Sequence, residues 1–144
     1  MLNIYEYHNN PQSLLGYKDR IKLIPDLALE HALKRKYNRS PELEPAILKD
    51  LQAIIDYSTY IIKGRWKEAE PIIIKDPFSA WLYSNNIIKG RWPEAENTIK
   101  KHPQAAWLYS QVILKHRWLE AENTIKKQLF CWHNYKQHFN IIED

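Results

Sequence analysis

A motif of arginine, tryptophan and glutamate contains the side chains best suited to chemistry. The motif Arg-Trp-x-Glu-Ala-Glu places two carboxylates beside an arginine, and paired carboxylates are the groups that acid and base catalysis uses. Its charged members are Arg65, Glu68, Glu70, Arg91, Glu94, Glu96, Arg117, Glu120 and Glu122. Because the motif recurs in successive copies, a ladder of structural ion pairs is favoured over an active site. We therefore expect no catalytic residue and no enzymatic activity.

One cysteine and two histidines near the carboxyl end have the composition of a metal site. On a helix, Cys131 and His138 would lie two turns apart, roughly 10 Å, and His133 would point to another face. His102 stands where another copy has Asp76, so helix capping or exposure is expected for it. The sequence therefore predicts neither a metal site nor a cofactor.

The elements that position these residues come from a repeat of 26 residues. The segments IIKGRW at 61–66, IIKGRW at 87–92 and ILKHRW at 113–118 coincide at this period. The five units, without insertions, are 14–39, 40–65, 66–91, 92–117 and 118–143, after a lead-in at 1–13. Such a period predicts an all-α fold: one helical-repeat domain over 1–144, built as a short α-solenoid of five helix-turn-helix repeats.

Prolines and glycines mark the ends of two helices in each unit. Proline is tolerated at the first helical position, and the candidates are Pro41 and Pro93 for the first helix and Pro25, Pro77 and Pro103 for the second. Gly64 and Gly90 are predicted to close the second helix in the left-handed conformation. Asn38 replaces glycine in that column, and asparagine also adopts this conformation readily.

Two apolar stripes predict the core. In the first helix, Trp92, Ala95 and Ile99 fall at i, i+3 and i+7, and the stripe recurs around Trp66 and Trp118. In the second helix, one column contains Tyr57, Tyr83, Tyr109 and Tyr135. No single helix pair could bury both stripes, so neighbouring units must stack.

The last copy deviates as a cap should, with Trp132 and Phe139 as candidates to seal the stack; alternatively, Phe130 and Trp132 form a homodimer contact.

The outward columns of the second helix vary between copies, which is typical of positions that recognise a partner. Their apolar members would align along a solenoid into a patch suited to a protein partner. The candidate protein-binding residues are Tyr60, Leu82, Asn86, Leu108 and Val112. A face packed against a neighbouring helix is the alternative.

Nucleic-acid binding is the competing hypothesis. The first repeat holds seven Lys and Arg against three acids, in a chain of net charge +4. Lysines also recur near the tryptophan of each later Arg-Trp-x-Glu-Ala-Glu motif, which is here called the corner. A basic stripe with stacking rings would bind phosphates and bases. The candidate residues are Lys34, Arg35, Lys36, Arg39, Lys63 and Lys89. Lysines at helix ends also complement the helix dipole, so a structural role stays open.

No targeting or membrane segment is predicted. The start MLNIYEYHNNPQ has neither a basic cluster nor an apolar stretch, and the longest aliphatic run is 72–74. A single cysteine fits a reducing compartment. We therefore expect a cytoplasmic protein with no membrane partner.

The corner IIKGRWPEAE at 87–96 and its companion KDPxxAWLY at 75–83 resemble the repeats of short helical-repeat proteins encoded by tailed bacteriophages. The opening tract Tyr5 to Arg20, YEYHNNPQSLLGYKDR, is similar to the lead-in of such proteins. The resemblance implies a viral protein that acts in the host cytoplasm on a host protein, including inhibition of a bacterial defence system. It implies no common activity and no set of functional residues.

Overall fold

The computed structural model describes residues 25–34 and 38–142. Within these ranges the chain is all-helical, with nine α-helices and no strand, which confirms the predicted all-α class. None of these helices is both long and apolar enough to cross a membrane. The chain divides into two compact units, Met1–Ile62 (unit 1) and Lys63–Asp144 (unit 2), which are described separately.

Unit 1 contains three helices: α1 (Pro25–Lys34), α2 (Glu44–Ile47) and α3 (Leu51–Tyr57), and α3 continues into a π-helical turn, Ser58–Ile62. Helix α1 packs against both α2 and α3. The buried side chains include Ala28, Ala32, Ile47, Ile54 and Tyr57. Short helices of this length depend on such packing rather than on intrinsic helix propensity.

Unit 2 contains α4 (Glu70–Ile73), α5 (Pro77–Tyr83), α6 (Pro93–Ile99), α7 (Pro103–Tyr109), α8 (Leu119–Ile125) and α9 (Leu129–Phe139). Helices α5 and α7 continue into π-helical turns, Ser84–Ile88 and Ser110–Leu114. Helix α5 packs against α6 and α7, and α7 packs against α8 and α9. The predicted stripes are confirmed as core: Trp66, Ala69, Ile73, Trp92, Ala95, Ile99, Trp118, Ala121, Ile125 and the four column tyrosines are all buried.

Proline marks most helix starts as predicted, with one error. Helices α1, α5, α6 and α7 begin at Pro25, Pro77, Pro93 and Pro103. The prediction that Pro41 begins a first helix is wrong, because α2 begins at Glu44. A helix starting at residue 41 would need the residue four positions later to donate its amide hydrogen, and that residue is a second proline without one.

The left-handed residue is a lysine at the end of three second helices and Asn140 at the end of the last one, so the prediction for Gly64 and Gly90 is wrong by one position. Lys63 and Lys89 have φ of 56° and Lys115 has φ of 60°, whereas neither glycine has a positive φ. The cause is the π-helical last turn, in which the N–H of Lys115 donates to the carbonyl of Ser110, five residues back, at 2.8 Å. The chain therefore reverses at the lysine.

The start of the second helix is capped by one side chain in three of the copies, whereas Gln128 of the last copy makes no such bond. Asp50, Asp76 and His102 each accept a hydrogen bond from the backbone N–H three residues later. Such a bond satisfies one of the unpaired amides of a helix start. The capping role predicted for His102 is confirmed.

Candidate functional site

Each corner of the repeat is held by one arginine, one glutamate and one tyrosine. Arg91 donates from Nε and Nη2 to the two carboxylate oxygens of Glu96, at 2.9 Å each. The hydroxyl of Tyr109 donates to Oε1 of Glu96 at 2.9 Å and accepts from the N–H of Trp92 at 2.9 Å. The same four-residue contact recurs as Arg39–Glu44–Tyr57–Ser40, Arg65–Glu70–Tyr83–Trp66 and Arg117–Glu122–Tyr135–Trp118.

The electrostatics of the corner suit a structural role. Burial opposes ionisation of Glu96, but the hydrogen bonds from Arg91 and Tyr109 outweigh it and lower the pKa of the carboxyl group. Burial also raises the pKa of the Tyr109 hydroxyl to about 12. The glutamate is thus charged and the tyrosine neutral at physiological pH. Because the guanidinium occupies both carboxylate oxygens, this carboxylate is poorly placed to act as a general base.

The ion pairs of the arginines lie within each corner, and they use the second glutamate of the motif. The first glutamates, Glu68 and Glu94, are exposed. Their counterpart Glu120 lies 3.5 Å from Nζ of Lys100 instead. The sequence did not distinguish the two carboxylates, because a repeat pattern cannot tell which of two nearby side chains points toward the arginine.

The predicted protein-binding residues fall into two groups. Tyr60 of unit 1 is 53% exposed and Val112 of unit 2 is 40% exposed, and Asn86 is also exposed. The expectation that Leu82 and Leu108 are fully outward is wrong, since both are half-buried. The physical reason is that α5 and α7 pack side by side, which covers part of each leucine.

In unit 2 these residues belong to a larger surface, here called the second-helix face. It consists of three ridges, one along each second helix and the turn before it, whose members are spaced by three or four residues and are exposed or partly exposed. The ridges are Lys75, Phe78, Leu82, Asn86, Lys89; Lys101, Gln104, Leu108, Val112, Lys115; and Lys127, Phe130, Asn134, His138, Ile141. Ring contacts join consecutive second helices, such as Trp107 with Phe130 at 6.0 Å between centroids.

Charge is segregated in unit 2. Residues 77–89, 103–115 and 129–141, which form the second helices and their ends, contain no Asp or Glu. Six of the seven acidic residues between 63 and 142 lie in the corners and first helices, and the seventh is the capping Asp76. The second-helix face therefore has a neutral centre and lysines at its ends. Sequence reasoning missed Lys75 and Lys101, although the constant spacing of 14 residues to Lys89 and Lys115 was a usable signal.

The candidate nucleic-acid residues have different surroundings. Lys34 lies 2.6 Å from a carboxylate oxygen of Glu30, and Arg39 makes the corner contact with Glu44. Lys63 and Lys89 are exposed at the ends of second helices. Arg35 and Lys36 lie outside the described residues. The predicted cluster of the first repeat is thus only partly described.

The prediction that the corner tryptophan rings stack on bases is wrong. Trp66, Trp92 and Trp118 are 1%, 2% and 8% exposed, so their rings belong to the core. The corner arginines beside them are engaged with glutamates through both carboxylate oxygens.

In the last repeat, the rings that pack against the column tyrosine come from the same helix. Tyr109 packs against Trp118 of the following first helix, at 5.5 Å between ring centroids. Tyr135 instead contacts Trp132 at 5.6 Å and Phe139 at 4.8 Å, both from its own helix α9. These contacts match the expected seal, whereas Phe130, which was also a homodimer candidate, is 66% exposed.

The cysteine and histidines of the last repeat do not converge. Cys131 is buried, its thiol lies 3.1 Å from Oε1 of Gln128, and burial raises the pKa of the thiol. His133 and His138 are exposed. In residues 25–34 and 38–142, no group of three potential ligands is placed to hold a metal ion.

Comparison with protein-family models, with curated proteins and with solved structures finds no match to this chain. The likeness of the repeat to bacteriophage proteins therefore stays a prediction. The geometry of the face and of the corners is what a functional proposal can use.

Proposed function

We propose that this chain is a non-enzymatic α-solenoid of five repeats that binds a protein partner through its second-helix face. The observation that carries the proposal is the contrast between the corners and this face. The corners repeat one contact, in which the arginine, glutamate and tyrosine all satisfy each other. The face varies from copy to copy and presents side chains such as Val112 and Phe130 to solvent.

Exposed apolar side chains that lie together are the usual anchors of protein interfaces. Leu108 and Val112 lie one turn apart on the same ridge, and Leu82 and Asn86 occupy the equivalent positions on the adjacent ridge. Half-buried leucines suit this role, because they are already held in place by neighbouring helices and lose little entropy on binding.

The resemblance of the repeat to bacteriophage proteins supports a partner in the bacterial cell. We propose a host protein as the partner, the host cytoplasm as the location and inhibition of a defence system as the process. The proposal for the process depends on the resemblance and on no particular residue.

Two other candidates have an observation in their favour. Nucleic-acid binding is favoured by the exposed lysines Lys63 and Lys89 at the ends of second helices. A homodimer through the last repeat is favoured by the exposed side chains of Phe130 and Leu129, which are 66% and 84% exposed.

Affinity capture from lysate of the bacterial host, with and without nuclease, tests the proposal. The wild-type chain should retain a protein that resists nuclease, and the double substitution Leu108→Ser and Val112→Lys should lose it. Leu119→Ser is the matched control, because Leu119 is 69% exposed but lies at the start of first helix α8. Loss of the captured protein after nuclease, or equal retention by all three chains, would contradict the proposal.

A further inference from the structure

The lysines of the second-helix face form a repeated frame around its neutral centre. Lys75 and Lys89 bracket one ridge, and Lys101 and Lys115 bracket the next. Lys127 continues the row of Lys75 and Lys101 in the last repeat. The face therefore has a basic row along each edge, and a strip of leucine, valine, phenylalanine, histidine and amide side chains lies between the rows.

These ammonium groups are available for a partner. All five are exposed, and in the part of unit 2 that the structure describes none of them forms an ion pair. The lysines with ion pairs, Lys67 and Lys100, lie outside the face, next to first-helix glutamates. The ridges themselves contain no carboxylate, and the nearest one in the sequence, Asp76 beside Lys75, accepts the capping hydrogen bond from Ser79.

We infer that the second-helix face of unit 2 recognises an acidic protein segment with apolar side chains at its centre. This inference rests on the proposed function and names the chemistry of the partner. Carboxylates at the two edges would meet the lysine rows, and apolar side chains would cover Leu82, Leu108 and Val112. Complementary charge of this kind sets orientation and association rate, while the apolar centre provides most of the affinity.

The composition of the centre favours protein over nucleic acid. Leu108 and Val112 offer nothing to a phosphate, and the corner tryptophan rings are buried, although Phe130 of the last ridge is exposed. The arginines, which bind phosphate in a bidentate manner, are occupied by glutamates. A polyanion with phosphates across its whole width would leave the apolar strip uncovered.

The test uses the full chain and defined probes. The first probe is a labelled amphipathic peptide of about 20 residues, rich in Glu with Leu on one face, long enough to span about 30 Å as a helix. The second is the same peptide with Ser in place of Leu, and the third is single-stranded and duplex DNA of equal charge. Binding is measured by fluorescence anisotropy at low and at high salt.

The face variant is Lys75→Gln with Lys101→Gln, and the matched control is Lys67→Gln with Lys126→Gln, which removes equal charge outside the second-helix face. We expect the Leu peptide to bind better than the Ser peptide and DNA. The face variant should weaken that binding by about threefold to tenfold, and the control should not. Thermal melting of each variant establishes that it is folded.

Three outcomes would overturn the inference: no binding of the Leu peptide at low salt, equal weakening by both variants, or tighter binding of DNA than of the peptide. The lysate capture separates the two proposals. If capture is lost with Leu108→Ser and Val112→Lys but unchanged with Lys75→Gln and Lys101→Gln, the proposed function holds and the acidic partner is wrong. If neither variant changes capture, the proposed function itself fails.

Discussion

Units 1 and 2 share the corner contact but differ in charge. In both, a glutamate joins an arginine to a buried tyrosine, as in Arg39–Glu44–Tyr57 and Arg91–Glu96–Tyr109. Residues 1–62 of unit 1 hold eight Lys and Arg against eight Asp and Glu, a net charge of zero. Residues 63–144 of unit 2 hold thirteen against nine, a net charge of +4. The shared contact therefore belongs to folding, whereas unit 2 carries the net positive charge and has no carboxylate in its second helices.

The residue after the corner arginine can vary while its hydrogen bond to the tyrosine persists. The tyrosine hydroxyl accepts from a backbone N–H, which belongs to Ser40 in unit 1 and to Trp92 in one corner of unit 2. A backbone donor is present whatever the side chain is. Unit 1 thus keeps the hydrogen bond without the tryptophan ring, and unit 2 adds the ring to its core.

The largest expected effect separates these two contributions. Trp92→Ala should lower the free energy of unfolding by about 3 to 5 kcal/mol, because the buried ring leaves a cavity. Ser40→Ala changes the same column of unit 1 and should cost about 1 kcal/mol or less, because the backbone donor is retained. Urea unfolding followed by circular dichroism measures both. Equal losses would mean that the ring is not what distinguishes the corners.

The tyrosine hydroxyl should matter equally in the two units. Tyr109→Phe and Tyr57→Phe each leave a buried backbone N–H without its acceptor, at a cost of about 1 to 3 kcal/mol. The measurement is again urea unfolding, with Tyr60→Phe as the control because Tyr60 is exposed. If only one of the two substitutions lowers the free energy of unfolding, the corner contact does not stabilise the two units equally.

Alkaline pH should weaken the fold through the same hydroxyls. Burial raises the pKa of Tyr57, Tyr83, Tyr109 and Tyr135 to about 12, above the usual tyrosine pKa of 10.0. Stability is therefore fully present below pH 10 and is lost as pH rises through 12, because the unfolded tyrosines release their protons first. Urea unfolding across this range measures the loss, which should be smaller in the Tyr109→Phe chain. A flat profile above pH 10 would contradict the role of these hydroxyls.

The smallest effect should be a gain. Lys89 has a left-handed backbone conformation that glycine adopts without strain. Lys89→Gly should therefore raise the free energy of unfolding by about 1 kcal/mol or less, which a higher melting temperature would show. Gly90→Ala should be nearly neutral, because no atom lies within 4 Å of an added Cβ. If Gly90→Ala destabilises the fold and Lys89→Gly gives no gain, then Gly90 rather than Lys89 is the residue in the left-handed conformation.

Periodicity predicted what depends on one helix at a time, and missed what depends on two. The stripe of Trp92, Ala95 and Ile99 and the start at Pro93 follow from spacing and from the chemistry of proline. The depth of Leu108 depends on how closely α5 and α7 approach, which a helical projection does not contain. The bond from the N–H of Trp92 to Tyr109, 17 residues later, has no local sign in the sequence. The π-helical turns also left no pattern from which the reversal at Lys89 could be predicted.

The most direct test of the central claim is hydrogen–deuterium exchange of the chain with and without its captured partner. The claim is that the second-helix face of unit 2 makes the contact. Amides within Pro103–Tyr109 and the following turn Ser110–Leu114 should gain protection on binding, while those of first helix Pro93–Ile99 should change little. Protection confined to the first helices, or to unit 1, would contradict the account.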